Sequence, residues 1–170
     1  FGVSTPTTEL TKQVVDVSRP NVSFDQMTID IYNSRVYLAG KHTWEPITIN
    51  LREDVNNNVQ KLVGEQLQKQ FDFYEQSSAA SGLDYKFATR IEILDGGNGA
   101  NTPTVLETFE LYGCYVEAAN YNQLAYSAGT EPVTVTLNIR YDNAVQTPQG
   151  TGIGTAIGRT VNTLVTGAGA

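Results

Sequence analysis

One cysteine, one histidine, one methionine and one tryptophan occur among the 170 residues, and each scarcity removes a kind of chemistry. The lone thiol, Cys114, forbids any disulfide within the chain, which fits folding in a reducing cytosol; a small buried apolar role in a strand suits it best. His42 is the only imidazole and has no cysteine beside it, so a zinc shell lacks ligands and a surface turn residue is expected. Basic residues are also few: eleven Lys and Arg stand against eighteen Asp and Glu, a formal charge of −7. Phosphate neutralisation needs clustered cations, so a dedicated nucleic-acid or anionic-membrane binder is disfavoured. No apolar run approaches a membrane span, and the first residues carry neither a basic region nor an apolar signal core. Secretion by the general route and stable membrane binding are therefore not expected. The chain opens on Phe1 without a Met, as a processed or incomplete chain would.

The length suits one domain with a sizeable core. Residues 1–23 mix Thr and Ser with Pro6 and Pro20 around the pair Val14 and Val15, and read as loop and edge strand. Two short strands near residues 27–32 and 35–38 flank Asn33-Ser34, a pair suited to a tight hairpin turn. After an expected turn at Gly40, Ile47-Thr48-Ile49-Asn50-Leu51 alternates cleanly, as a half-buried antiparallel strand does. Short acceptors at residues 54–58 precede Val59, Leu62, Val63, Leu67, Phe71 and Tyr74 at three- and four-residue spacings. That spacing predicts one amphipathic helix over residues 55–76, ended by the small residues 77–82, with Leu62, Val63, Leu67 and Phe71 buried.

Tyr85, Phe87, Thr89, Ile91 and Ile93 mark a long strand, residues 95–101 a Gly and Asn loop, and Val105, Glu107, Phe109 and Leu111 a return strand running past Gly113. Residues 133–141 are apolar at odd numbers and polar at even ones. Many strands around one helix predict a mainly β protein, an antiparallel β-sandwich or barrel with one packed α-helix. Beyond Tyr141 the composition shifts to Gly, Thr and Ala, so residues 1–145 are expected to form the β domain and 146–170 a Gly-rich extension. Ile153, Ile157, Val161, Leu164 and Val165 are spaced as one face of a short helix that orders on a partner.

Catalytic constellations are missing. No Gly-x-Ser-x-Gly elbow is present to present a nucleophile. The run from Asp95 to Asn101 has glycines at the third and fifth positions and Leu106 where a calcium loop closes with Glu, so it reads as a hairpin loop. Gly150-Thr151-Gly152-Ile153-Gly154 lacks the preceding buried strand of a dinucleotide cradle and has Thr155 where the third Gly belongs. Glu92, Glu107 and Glu110 lie on strands, where solvated faces are the ordinary reading and an acid and base pair the rarer one. No enzyme activity, metal or cofactor is expected.

The stretch Val36-Tyr37-Leu38-Ala39-Gly40-Lys41-His42-Thr43-Trp44, followed by a strand that ends at Glu53-Asp54 ahead of a helix, resembles the core of tail tube proteins of contractile bacteriophage tails. In that family an Ala-Gly, a basic residue, a Thr and an aromatic precede such a strand. Phe109-Glu110-Leu111-Tyr112-Gly113-Cys114-Tyr115-Val116 resembles the family's strand that reaches a Gly and a bulky residue before a turn, residues 119–124 sit at its polar turn, and residues 133–141 resemble its final strand. The likeness spans residues 1–142. Two features depart from it: family members begin with a strand ahead of the position of Phe1, and residues 146–170 extend beyond the shorter members.

What the resemblance implies is a virion tail subunit, assembled in the host cytoplasm, that closes hexameric rings into a ring-wide β-barrel. The rings stack into a tube and meet sheath, baseplate and tail-terminator proteins, while DNA passes through without specific contact. A tube, tube-initiator or baseplate ring of a contractile injection or type VI secretion system shares the architecture, and a soluble β-domain that binds a small ligand is a third reading. The short, mixed-polarity strands of residues 24–38 suit a subunit boundary better than a private core, and the resemblance places a long hairpin there. Phe24, Asp25, Met27, Ile29, Ile31, Arg35 and Tyr37 are the interface candidates. Alternation turns Asp30 and Glu92 away from the core, which makes them candidates for an acidic lumen.

Overall fold

The computed structural model describes residues 7–97, 102–125, 129, 131–146 and 153–154. A short helix, α1 (Thr7–Gln13), leads directly into β1 (Val14–Val17). The edge-strand expectation holds, since β1 pairs only with β4 (Ile47–Arg52) among the described strands. The helix was not expected: seven residues are too few to display an apolar period, and of its described side chains Leu10, 6% exposed, is the one that enters the core.

The main sheet is antiparallel throughout. From β4 it continues to β9 (Thr134–Arg140), then to the sixteen-residue β8 (Val105–Asn120), which β7 (Phe87–Leu94) flanks on its other side. A last strand, β10 (Asn143–Gln146), extends β9 along β8: Arg140 pairs with Tyr115 and Asn143 with Tyr112 in one continuing register. The break between them falls at Tyr141 and Asp142, opposite Gly113 and Cys114. There Gly113 takes a φ of +67°, and a Cβ on it would meet the Asp142 carboxylate at 2.1 Å. The return strand expected past Gly113 is thus one strand bent by a bulge.

Registers explain the core. Ile47, Ile49 and Leu51 of β4 oppose Ile139, Leu137 and Val135 of β9, so the apolar side chains of both strands share one face. Leu111, Cys114 and Val116 of β8 join them, and Cys114 is fully buried as expected. Burial pushes its thiol pKa upward.

Onto this face packs α2 (Asn58–Gln70), with Val59, Val63 and Gln66 buried. The expected span of residues 55–76 is too long at both ends. Asn57 holds a left-handed conformation at the start; Phe71 is already extended at the end and donates its amide to Leu67. The stop has a local cause: the Asp72 carboxylate accepts the Tyr74 and Glu75 amides and the Gln68 carboxamide, a turn that competes with another helical turn. Those bonds, the Glu75 amide first, hold the Asp72 pKa below its ordinary value. Two-residue strands β5 (Phe71–Asp72) and β6 (Ser77–Ser78) close a small hairpin there, leaving Phe71 exposed and Tyr74 nearly bare. Of the expected stripe Val63 is buried, Leu62 and Leu67 pack half-buried against the core, and Phe71 does not enter it.

Standing apart from the main sheet is a second, two-stranded one, β2 (Val22–Ile31) with β3 (Ser34–Trp44). Its tip turns at Tyr32 and Asn33, one residue earlier than the Asn33-Ser34 expected. No turn exists at Gly40. The glycine lies inside β3 at a bulge opposite Asp25, whose carbonyl oxygen would be 2.9 Å from any Cβ placed there. A glycine read as a chain reversal is instead a close backbone approach.

Candidate subunit interface

Cross-strand pairs give the β2–β3 ribbon two unlike faces. Met27 opposes Leu38, Ile29 opposes Val36 and Ile31 opposes Ser34, so one face of the outer half is an aliphatic stripe. Every large side chain on it is between 41% and 55% exposed. Gln26 with Ala39, Thr28 with Tyr37 and Asp30 with Arg35 form the other face, where the Arg35 guanidinium meets Asp30 at 2.9 Å. The candidates Phe24, Asp25, Met27, Ile29, Ile31, Arg35 and Tyr37 all fall on this ribbon and all are exposed. They do not share a face. Met27, Ile29 and Ile31 lie on the aliphatic side, Phe24, Arg35 and Tyr37 on the other, and Asp25 at the bulge. Val36 and Leu38, which complete the stripe, were missed; their alternation inside residues 35–38 was the available signal. Tyr32, fully exposed at the tip with a φ of +51°, was missed as well.

At its root the ribbon is anchored by a row of tilted and edge-to-face rings. Phe24 lies 6.3 Å from His42, His42 6.2 Å from Trp44, and Trp44 5.7 Å from Tyr141 between ring centroids. His42 therefore belongs to a strand and an aromatic row, not to a turn. Among the described residues neither the Trp44 indole nitrogen nor the Tyr141 hydroxyl finds a hydrogen-bond partner, although both are buried. Burial first, with Cys114 and Glu45 nearby, pushes Tyr141 up to about 12.

The main sheet's other face is polar and internally bonded. Asn50 donates to Asp16 at 2.7 Å and accepts from Thr136 at 2.7 Å; Thr48 donates to Asn138 at 3.1 Å, and Asn122 to Thr134 at 2.7 Å. Two of its acids are matched with bases: Arg140 meets Glu117 at 3.2 Å and Arg90 meets Glu92 at 2.8 Å. Glu92 thus lies on the sheet's polar face, whereas Asp30 belongs to the ribbon, and each is ion-paired. Glu107 takes the Gln146 carboxamide and Glu110 the Tyr112 hydroxyl, so Glu92, Glu107 and Glu110 each find a partner that is not a carboxylate.

Among the described residues no three His, Cys, Asp or Glu side chains gather as a metal site would require. Asp95 accepts the Thr104 amide at 2.8 Å and its hydroxyl at 2.5 Å, closing the hairpin loop and holding the Asp95 pKa low. Residues 98–101 of that loop, and nearly all of the C-terminal stretch read as a Gly-rich extension with one helical face, lie outside the described residues.

No family model and no curated protein sequence matches the chain. Solved structures do. A chain of the anti-feeding prophage cap, its tube-terminating cap, superposes with a TM-score of 0.60 at 13% identity, over 79% of this chain and 79% of that one. A chain of an extracellular contractile injection system, the PVC sheath–tube complex in the extended state, gives 0.58 at 12% identity over 79% and 80%. A chain of the anti-feeding prophage baseplate gives 0.57 at 10% identity over 77% and 78%. The fold is therefore one used by components of contractile injection machines, a mainly β architecture with an antiparallel sheet and a packed helix.

Proposed function

We propose that the chain is a structural, non-enzymatic subunit of a contractile-tail tube, one that closes hexameric rings and stacks them inside a sheath. The observation that carries this reading is the β2–β3 ribbon, whose aliphatic stripe is left exposed by the described residues of the subunit. A lone two-stranded ribbon is marginal in water, and an open apolar stripe invites a partner. Among the described strands β1 and β7 each pair on one side only, which supports the same reading, because ring closure pairs such edges and removes the hazard they pose.

In this arrangement the polar face of the sheet lines the channel and α2 lies outside it. The cargo of a phage tail tube is DNA; Arg90 and Arg140 on this face are paired with acids, and Arg52, exposed and without an ion pair among the described residues, is a lone charge and not a basic track for phosphates. Partners in the particle are a sheath, a baseplate and a terminator. Likeness to baseplate and cap chains favours a second reading, a tube-initiating or baseplate ring of an injection or secretion system.

Negative-stain microscopy of the purified chain tests both. Six-fold rings that stack into long tubes support the tube subunit; six-fold rings that stay single support the initiator. A monomer at high concentration overturns the proposal. Tight DNA binding by the tubes at low salt, weakening steeply as salt rises, would remove the DNA-conduit part alone.

A further inference from the structure

The last helical residue of α2 makes an unusual contact. Gln70 donates its side-chain nitrogen to the Val116 carbonyl at 2.9 Å, and its side-chain oxygen accepts the Val116 amide at 2.8 Å. A carboxamide carries one donor group and one acceptor in the spacing of a peptide, so it satisfies both backbone groups of one residue as a neighbouring strand would. One turn earlier Gln66, 5% exposed, donates to the Tyr85 carbonyl at 2.7 Å. Both residues act where the sheet is incomplete. β7 begins at Phe87 opposite Cys114, so beyond that pair no described strand runs along this flank of β8, while β9 occupies the other flank through the Val116–Ile139 pair. A bulge between Val116 and Ala118 loosens β8 at the same place.

We propose that Gln70 is a strand mimic that plugs this flank of β8 and so directs a second copy of the chain onto the outer edge of β7. Unplugged, the amide and carbonyl of Val116 would form a second site for strand addition, one that leads to a misregistered and unclosed contact. With the plug in place, the outer flank of β7 over residues 88–94, along which no described strand pairs, remains for strand addition on this side of the sheet. Gln66 is a positioning residue that holds α2 against the chain entering β7. The inference rests on the ring-assembly reading for its consequence, but the plug itself belongs to the single subunit.

Two measurements test it on the full chain, with Gln70→Leu, which removes donor and acceptor together, and Gln70→Glu, which keeps only the acceptor. In the unassembled protein, hydrogen exchange at the Val116 amide should rise about tenfold or more in Gln70→Leu, as loss of an ordinary hydrogen bond permits, and remain near wild type in Gln70→Glu. On concentration, wild type should give uniform closed rings and Gln70→Leu a mixture of rings and irregular aggregates. Unchanged Val116 exchange in Gln70→Leu overturns the plug. Raised exchange with uniform rings overturns its directing role. If Gln70→Leu does not fold, Gln70→Glu must still differ from wild type in ring uniformity, since its carboxylate faces the Val116 carbonyl without a proton to share; uniform rings would then overturn the proposal. Wild type that never forms rings refutes the ring reading and the directing role, while exchange at Val116 still decides the plug.

Discussion

Gly113 and its neighbours concentrate three constraints on a few atoms. The backbone there is left-handed, the Asp142 carboxylate sits where a Cβ would be, and Lys86 binds that carboxylate at 2.6 Å. Gly113→Ala should cost about 2 kcal/mol or more in chemical denaturation, from left-handed strain plus displacement of Asp142. The hydrogen bond from Lys86 to Asp142 raises the lysine's pKa above 10.5, and burial raises that of Tyr141 to about 12. A raised folded-state pKa means that the unfolded chain releases its proton first. Stability from both groups is therefore complete below pH 10 and lost as pH climbs through the raised values. Tyr141→Phe should flatten the loss between pH 10 and 12 in a series of thermal melts. Near pH 7 the same change should be neutral or slightly stabilising, because it removes a buried hydroxyl with no partner among the described residues. None of this was legible in the sequence beyond a glycine in a strand, since the contact joins residues that lie far apart along the chain.

Strands with strict alternation were legible because burial on one face leaves period two in the sequence: β4 and β9 fall where Ile47 to Leu51 and residues 133–141 predict them. The helix was legible in place but not in length, since Phe71 and Tyr74 continue the spacing of α2 while Asp72 captures the amides that would extend it. Burial grades the consequences. Leu137, fully buried between strands, should lose about 2 to 5 kcal/mol on change to Ala. Leu67 is only partly covered, so Leu67→Ala should fall at or below the low end of that range. Equal losses in urea unfolding would mean that α2 is seated more deeply than its exposure indicates. For the ribbon, polarity hinted at a boundary and alternation separated the residues within each strand, but the pairing of Ile29 with Val36 and of Asp30 with Arg35 is what relates the faces of the two strands.

For the whole molecule, folding and assembly should separate under mutation of the ribbon. Arg35→Glu breaks an ion pair whose members are 67% and 70% exposed, a contact worth at most about 1 kcal/mol to the subunit. Ile29→Asp places a charge in the middle of the aliphatic stripe. Both variants should melt near wild type, while sedimentation should show ring formation weakened by Arg35→Glu and abolished by Ile29→Asp. Normal rings from Ile29→Asp would show that the stripe is not buried on assembly. The aromatic row at the ribbon's root offers a way to watch this happen. Trp44 is the sole tryptophan, so the intrinsic emission of the protein comes from the junction where the ribbon meets the body. The indole lies between an imidazole and a phenol, so any swing of the ribbon as neighbours seat against it changes the colour and lifetime of one fluorophore. Assembly can then be followed in real time by light alone, without a label.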